Sequence, residues 1–487
     1  MGPVVVRAGN VPTTVPSSTV EPSDAAARIH DELWDPDTCL DRMAAGVTPG
    51  VDLTSLGLHS IRESALGAYA DLGRGNHDRA IPTLRAVLRH QYLAPGRPWD
   101  GTFRVTAEQA DPPGDDAVEW LHYDPNWRQF LGSILQVVLL EHRGALPPDL
   151  EDAMVTAVRR CALGEPEQRI PEWYTNPNLL HAWLAAHAGR RDADPGLVDR
   201  GVRRARRTME RLEASGDVDE YNSPTYDGID LIAAGLWIVH PPTPEFAGWG
   251  RDLLDRLCAR LSVLVDPEMG TVCGPYSRAY GLGLDRYVSL LGLWLRVAGV
   301  DDVVPPSIDS HTDHVHDLYF LPLIERLAGM VEPPWALRPV RDERRHVQGF
   351  GGAVATSVLR PGLSVGWADG PVPTFAADQY VPFVAHAGTV DGVAHLAVRP
   401  GAGIAAVHVV ERGQRSFHLS CGTSGACGSL RLESGGVWSV GADGVLRSGP
   451  FVVRTASAFS VDEQGPVLTV TGPDNPLVFD VRDGTDT

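Results

Sequence analysis

From about residue 24 to residue 330 the apolar positions return every third or fourth residue. Arg128 to His142, Leu197 to Leu212, Ile229 to Val239, Leu253 to Val265 and Tyr287 to Val297 each carry this spacing, which places one apolar stripe on a helix. Proline- and glycine-rich joints such as His240-Pro241-Pro242-Thr243-Pro244 separate the stripes. Beyond Pro333-Pro334 the rhythm changes to short β-branched runs cut by glycine: Gly352 to Val358, Ile404 to Val410, Val437 to Leu446 and Val467 to Val470. Runs of that kind predict an antiparallel β domain. A chain of 487 residues exceeds one ordinary core. The expected division is therefore a loose arm over 1–22, rich in Pro, Ser, Thr and Val, a helical domain over 23–332 and an antiparallel β-sandwich over 333–487.

The helical half also repeats. Tyr123-Asp124-Pro125-Asn126-Trp127, Tyr174-Thr175-Asn176-Pro177-Asn178 and Tyr221-Asn222-Ser223-Pro224-Thr225-Tyr226 each set a capping side chain before a proline, the pattern of a helix start. Gly274-Pro275-Tyr276-Ser277-Arg278-Ala279-Tyr280 is a fourth, variant start. The prolines recur at roughly 50-residue intervals, the length of two helices with their connections in an array of helical hairpins. One helix of each pair then begins at the same end. If those helices form the inner ring of an (α/α) toroid, their unpaired N–H groups and positive dipole ends face one opening, where an anion is welcome.

Composition narrows the chemistry. The chain contains no lysine; all 42 basic residues are arginine. A lysine Schiff base and the usual P-loop phosphate clamp are excluded. The net charge of −20 argues against nucleic acid as a partner. Met1 to Arg7 lacks the pattern of a signal peptide and no apolar run is long enough to span a bilayer, so a cytoplasmic protein without a membrane partner is expected. Cys39, Cys161, Cys258, Cys273, Cys421 and Cys427 show no zinc spacing and are expected as free thiols, with Cys421 and Cys427 near each other.

The densest polar and aromatic stretch is Glu220 to Gly228. Removing a proton from a carbon beside a carboxylate requires neutralisation of the developing enolate and a base held close. Asn222 and Arg278 suit the first task, and Tyr226 or Tyr280, with a pKa lowered by helix N-termini and arginine, the second. His181, one turn into the helix begun by Pro177, is the candidate histidine. Asn126, Trp127, Tyr174, Asn178, Tyr221 and Tyr276 are expected at the mouth as substrate-binding groups, joined by His386 from the β domain. No cofactor is expected. His311, His314 and His316, in the run His311 to Asp317, are the only place where a divalent metal is considered. Glu220, Asp227 and Asp230 leave open a glycoside hydrolase using paired carboxylates, and the aromatic mouth leaves open a carbohydrate-binding protein without catalysis.

The succession of Asn126-Trp127 with Gly132, the Tyr-Asn-Ser-Pro-Thr-Tyr segment, Ser277-Arg278-Ala279-Tyr280 and a following β domain resembles the heparinase II/III-like and alginate-lyase-like toroid families, over most of the region from about 120 to 487. The resemblance implies an (α/α) toroid with antiparallel sheets and β-elimination at uronic acid residues of a saccharide, with Asn222, Tyr226, Arg278 and Tyr280 at the family's catalytic positions. The missing export signal and absent lysine depart from an enzyme that meets extracellular polysaccharide. An intracellular biosynthetic dehydratase or cyclase, acting on a smaller anionic metabolite, is the alternative.

Overall fold

The computed structural model describes residues 21–47, 56–375, 377–390, 392–423, 429–436, 438–441, 445–455, 458–461, 467–471 and 477–482. Residues 1–20 of the expected arm and Cys427 lie outside the described residues. Among the described residues eleven α-helices come first: α1 (Pro22–Leu33), α2 (Ile61–Gly73), α3 (His77–Leu88), α4 (Trp127–Glu141), α5 (Pro148–Gly164), α6 (Thr175–Arg191), α7 (Pro195–Ser215), α8 (Asp227–Val239), α9 (Pro244–Leu264), α10 (Leu290–Val297) and α11 (Leu321–Val331). No helix among them is long and apolar enough to cross a membrane.

Consecutive helices pack as hairpins, α2 with α3, α4 with α5, α6 with α7, α8 with α9 and α10 with α11. The first member of each pair also packs on the next, in the order α2, α4, α6, α8, α10. A 3-10 segment, Val315–Phe320, touches α10, α1 and α2, so the packing order returns to its start. Composition decides which helix lies inside. Helix α8 buries every residue from Asp227 to Trp237, as a helix apolar all round must. Helix α7 buries only Leu197, Gly201, Ala205, Met209 and Leu212, a single stripe, and turns its arginines outward. Gly201 sets how closely α6 and α7 approach: a Cβ there would stand 2.5 Å from the Ala182 carbonyl oxygen and 2.7 Å from the Ala186 nitrogen. On the closing side of the ring, His30 of α1 hydrogen-bonds Asp41 at 2.6 Å and Asp71 of α2 at 3.0 Å.

The helices end at Val331 and the first strand of a large antiparallel sheet begins at Arg344. Arg344–Phe350, Ala353–Arg360, Leu363–Pro371, Phe383–Thr389 and Gly392–Pro400 run as a meander. Leu363–Pro371 pairs along its start with Phe383–Thr389 and at its end with Ile404–Gly413. This lets the sheet curl until its two halves face each other, with Phe383 5.8 Å from Phe417 and 5.0 Å from Phe479 between ring centres.

One stretch joins the two regions. Pro275 does not start the helix that the repeat predicts there; α10 begins only at Leu290, capped by the Ser289 hydroxyl, which accepts from the Gly292 N–H. The backbone of Tyr276 instead pairs in both directions with Val381, and Ala279 N–H donates to the Gln379 carbonyl. Those N–H groups are satisfied by the segment that leads into Phe383–Thr389, so no helix is needed to pair them.

Candidate functional site

A cavity of about 490 Å³ opens at the end of the helical region where the inner helices begin. Its wall takes Arg62 from the first turn of α2, Asn126 and Trp127 from the start of α4, Tyr174 and Asn176 from α6, Tyr226 and Ile229 from α8, and Leu290 from α10. Five positive helix ends therefore face one space. The starts of α4, α6 and α8 are held by polar side chains. Asp124 accepts from the Asn126 N–H at 2.8 Å. Asn176, expected as a cap, lies inside α6, and the Glu220 carboxylate accepts from its side chain at 2.8 Å and its N–H at 3.2 Å. The Ser223 hydroxyl accepts from the Tyr226 N–H at 3.1 Å and donates to the Arg278 carbonyl at 2.6 Å, which fastens the joining stretch to the start of α8.

Arg278 is the centre of the polar wall. Its guanidinium donates to Glu220 at 2.6 Å, to the Gln379 side chain at 2.9 Å and to the Tyr226 hydroxyl at 2.8 Å. It also lies over the Tyr226 ring, 3.9 Å from its centre. The hydroxyls of Tyr226 and Tyr280 are 2.8 Å apart. Asn126 donates to the Tyr174 hydroxyl at 3.0 Å. Burial pushes Tyr226 well above the ordinary phenol value, against the pull of Arg278, and pushes Tyr174 up to about 12. The expected lowering is thus reversed at Tyr226: removing a phenolate from water costs more than one shared arginine returns. Burial thus favours the protonated form of Tyr226.

The other wall holds residues that periodicity did not single out. Arg62 pairs with Glu63 at 2.5 Å and lies between the rings of Trp127 and Phe320, 5.7 Å from each centre. A cation in a first helical turn opposes the dipole, the one sequence signal that marks it. Asp317 is pushed up to about 7 by burial, with Arg62 opposing, and His316 is driven well below its ordinary value by burial and Arg62. His314, His316 and Asp317 can bring one ligand atom each within 4.8 Å of the others, a possible metal-ligand set; His311 is exposed and outside it. Tyr280 stacks on His314 at 4.9 Å. Phe375, Asp378 and Gln379 from the sheet region complete the wall.

Of the residues expected here, Tyr226, Arg278, Tyr280, Asn126, Trp127 and Tyr174 line the cavity. The others do not. Asn222 is fully buried, and its amide group donates to the Cys273 and Pro275 carbonyls at 2.8 Å each, so it has no donor left for an enolate. His181 is fully buried in α6, 3.4 Å from Gln129 and well below its ordinary pKa through burial. Asn178 donates to the Pro171 and Tyr174 carbonyls. Tyr221 packs against Phe350, and Tyr276 donates to the Val272 carbonyl. His386 is buried between Ser364 and the Leu282 carbonyl. These side chains follow the inward face of their elements into the core, where period alone could not separate them from the mouth. The carboxylates considered for hydrolysis also lie elsewhere: Glu220 is bound to Arg278, Asp227 pairs with Arg260 at 2.7 Å, and Asp230 is fully buried.

A family model described as Domain of unknown function (DUF8769) matches residues 24–329. No curated protein matches the chain. Among solved structures, heparinase III aligns over 99% of this chain and 86% of its own, at 11% identity and a TM-score of 0.45.

Proposed function

We propose that this chain, which belongs to the DUF8769 family, is a carbon–oxygen lyase whose helical region forms an (α/α) toroid around a site for a carboxylate-bearing saccharide or related metabolite. One observation carries the reading: Tyr226, Tyr280 and Arg278 share hydrogen bonds at 2.8 Å on the wall of a cavity faced by five helix starts. Arg278 and Arg62, the arginines that line this cavity, are the cations for a substrate carboxylate. As the proton leaves the carbon beside that carboxylate, charge moves onto its oxygens, and Arg278 neutralises it. Tyr226, kept protonated by burial, gives its proton to the departing oxygen as the carbon–oxygen bond breaks, and a double bond remains. Tyr280, 44% exposed with its hydroxyl 2.8 Å from that of Tyr226, is the base that takes the carbon-bound proton. His316 is the second assignment for the base, favoured by its neutral imidazole in the same wall.

The test is incubation with a panel of uronate oligosaccharides, following ultraviolet absorbance from the new conjugated double bond and the product mass. Tyr226→Phe keeps the ring under Arg278 and removes only the hydroxyl; kcat should fall by about 10²–10⁴ with KM little changed. Tyr280→Phe should do the same and His316→Ala should not; the reverse result transfers the base to His316. Products heavier by one water, without absorbance, would replace the lyase by a hydrolase.

A further inference from the structure

Helix α7 carries Arg200, Arg203, Arg204 and Arg207, three- and four-residue neighbours that share one helix face. All four line a second pocket, of about 450 Å³, closed on its far side by the stretch from Glu167 to Glu172. Like charges so placed repel, and a chain with 62 acidic residues has ample means to pair them. Arg211, one turn further on, is paired with Asp219 at 2.5 Å. Among the described residues no ion pair holds Arg200, Arg203 or Arg207. Arg204 spends its donors on neutral acceptors, the Asn178 side chain at 2.5 Å and the Glu167 carbonyl at 2.8 Å. The Arg200 Nη1 is buried without an acceptor, a donor that a native structure rarely leaves unused. Burial, opposed by Glu165 and aided by Arg200 and Arg169 close by, also lowers the Arg204 pKa.

We propose that this pocket binds a phosphoryl or sulfuryl ester group carried on a small hydroxyl-bearing molecule. Planar guanidinium forks match the oxygens of such a tetrahedral anion. Four guanidinium groups against the two carboxylates of Glu167 and Glu172 leave a surplus equal to one dianion. Those two carboxylates, both exposed at the rim, are acceptors for hydroxyl groups on the carrier. The pocket is separate from the cavity of Tyr226 and Arg278, since the two share no lining residue. They do share a wall: Asn178, held by Arg204, donates to the Tyr174 carbonyl at 2.8 Å.

Isothermal titration of the full chain with glucose 6-phosphate, glucose, inorganic phosphate and sulfate tests the assignment. Glucose 6-phosphate should bind saturably and glucose should not. A clear gain with glucose 6-phosphate over phosphate and sulfate supports the ester; equal affinity for phosphate or sulfate alone overturns the carrier and leaves a site for the free oxyanion. Arg203→Glu combined with Arg207→Glu should weaken binding at least about tenfold, the loss expected for charge-assisted hydrogen bonds. Arg206→Glu, exposed on the same helix and outside the pocket, should leave affinity within about twofold. Thermal midpoints of all variants should match the parent chain, because the altered side chains are exposed. Absence of saturation with every oxyanion, or an equal loss in Arg206→Glu, overturns the proposal.

Discussion

Two neighbouring residues, Asn222 and Tyr226, show how burial sorts polar side chains of one segment into different tasks. Asn222 sits at a φ of 50°, a left-handed conformation that asparagine tolerates and alanine resists. Its amide ties together two carbonyls of the joining stretch. Asn222→Ala should therefore destabilise the chain by about 2–4 kcal/mol, from two lost hydrogen bonds and the strained φ. The loss should appear in a urea midpoint; a fall in kcat with unchanged stability would instead return Asn222 to the reaction. Asp230 is the opposite case. Burial raises its pKa well above the ordinary value, and neither carboxylate oxygen has a hydrogen-bond partner. Asp230→Asn should leave turnover intact and be neutral or stabilising by about 1 kcal/mol at pH 8, because no charge is then withdrawn from water. A collapse of activity in that variant would favour the carboxylate mechanism.

At the scale of elements, the division between inner and outer helices carries the architecture. Helix α7 gains its stability from one buried stripe and one close contact. Its N-terminus is capped by Asp194, which accepts from the Leu197 N–H at 3.1 Å, and its C-terminus ends at Gly216 with a φ of 82°. Gly201→Val places methyl groups where the α6 backbone already stands. Such overpacking should cost about 1–3 kcal/mol or more, read as a lower thermal midpoint. An unchanged midpoint would show that the two helices separate freely. The start of α8 ties elements to chemistry, since the Ser223 hydroxyl caps its leading turn and holds the Arg278 carbonyl. Ser223→Ala should lose about 1 kcal/mol of stability and raise KM for any carboxylate substrate more than the distant Gly201→Val does.

At the scale of the whole molecule, the link that His30 makes from α1 to Asp41 and Asp71 should weaken as pH rises. His30 is raised from 6.5 to about 9 by Asp41 and Asp71, which outweigh the lowering by burial. A histidine whose folded pKa lies above its unfolded value contributes its stability fully below about pH 6.5 and loses it as pH rises through about 9. Asp71, held below its ordinary value by His30, Arg79 and Arg74 despite burial, contributes above about pH 4 and loses that contribution in acid. The shift at His30 corresponds to about 3 kcal/mol. Urea unfolding should show the parent chain losing a stabilisation of that order between pH 6 and pH 9.5, and His30→Gln losing much less over the same range. Equal slopes for both chains would remove His30 from the closure.

The amino-acid order alone determined the helical half, the change to strands after residue 333 and the common end at which α4, α6 and α8 begin, because apolar period, proline and capping residues act within a turn or two of chain. It also marked Tyr226, Arg278, Tyr280 and the start of α4 as neighbours of an opening. What only the tertiary structure decided is which polar side chain at each start faces space and which faces the core. Asn222, His181 and Tyr276 turn inward, Arg62 and Gln379 reach the cavity from distant segments, and the Pro275 stretch joins the sheet. Those outcomes depend on contacts between residues far apart in sequence, where backbone N–H groups and buried charges find whichever partner the packing brings, and no local pattern records them.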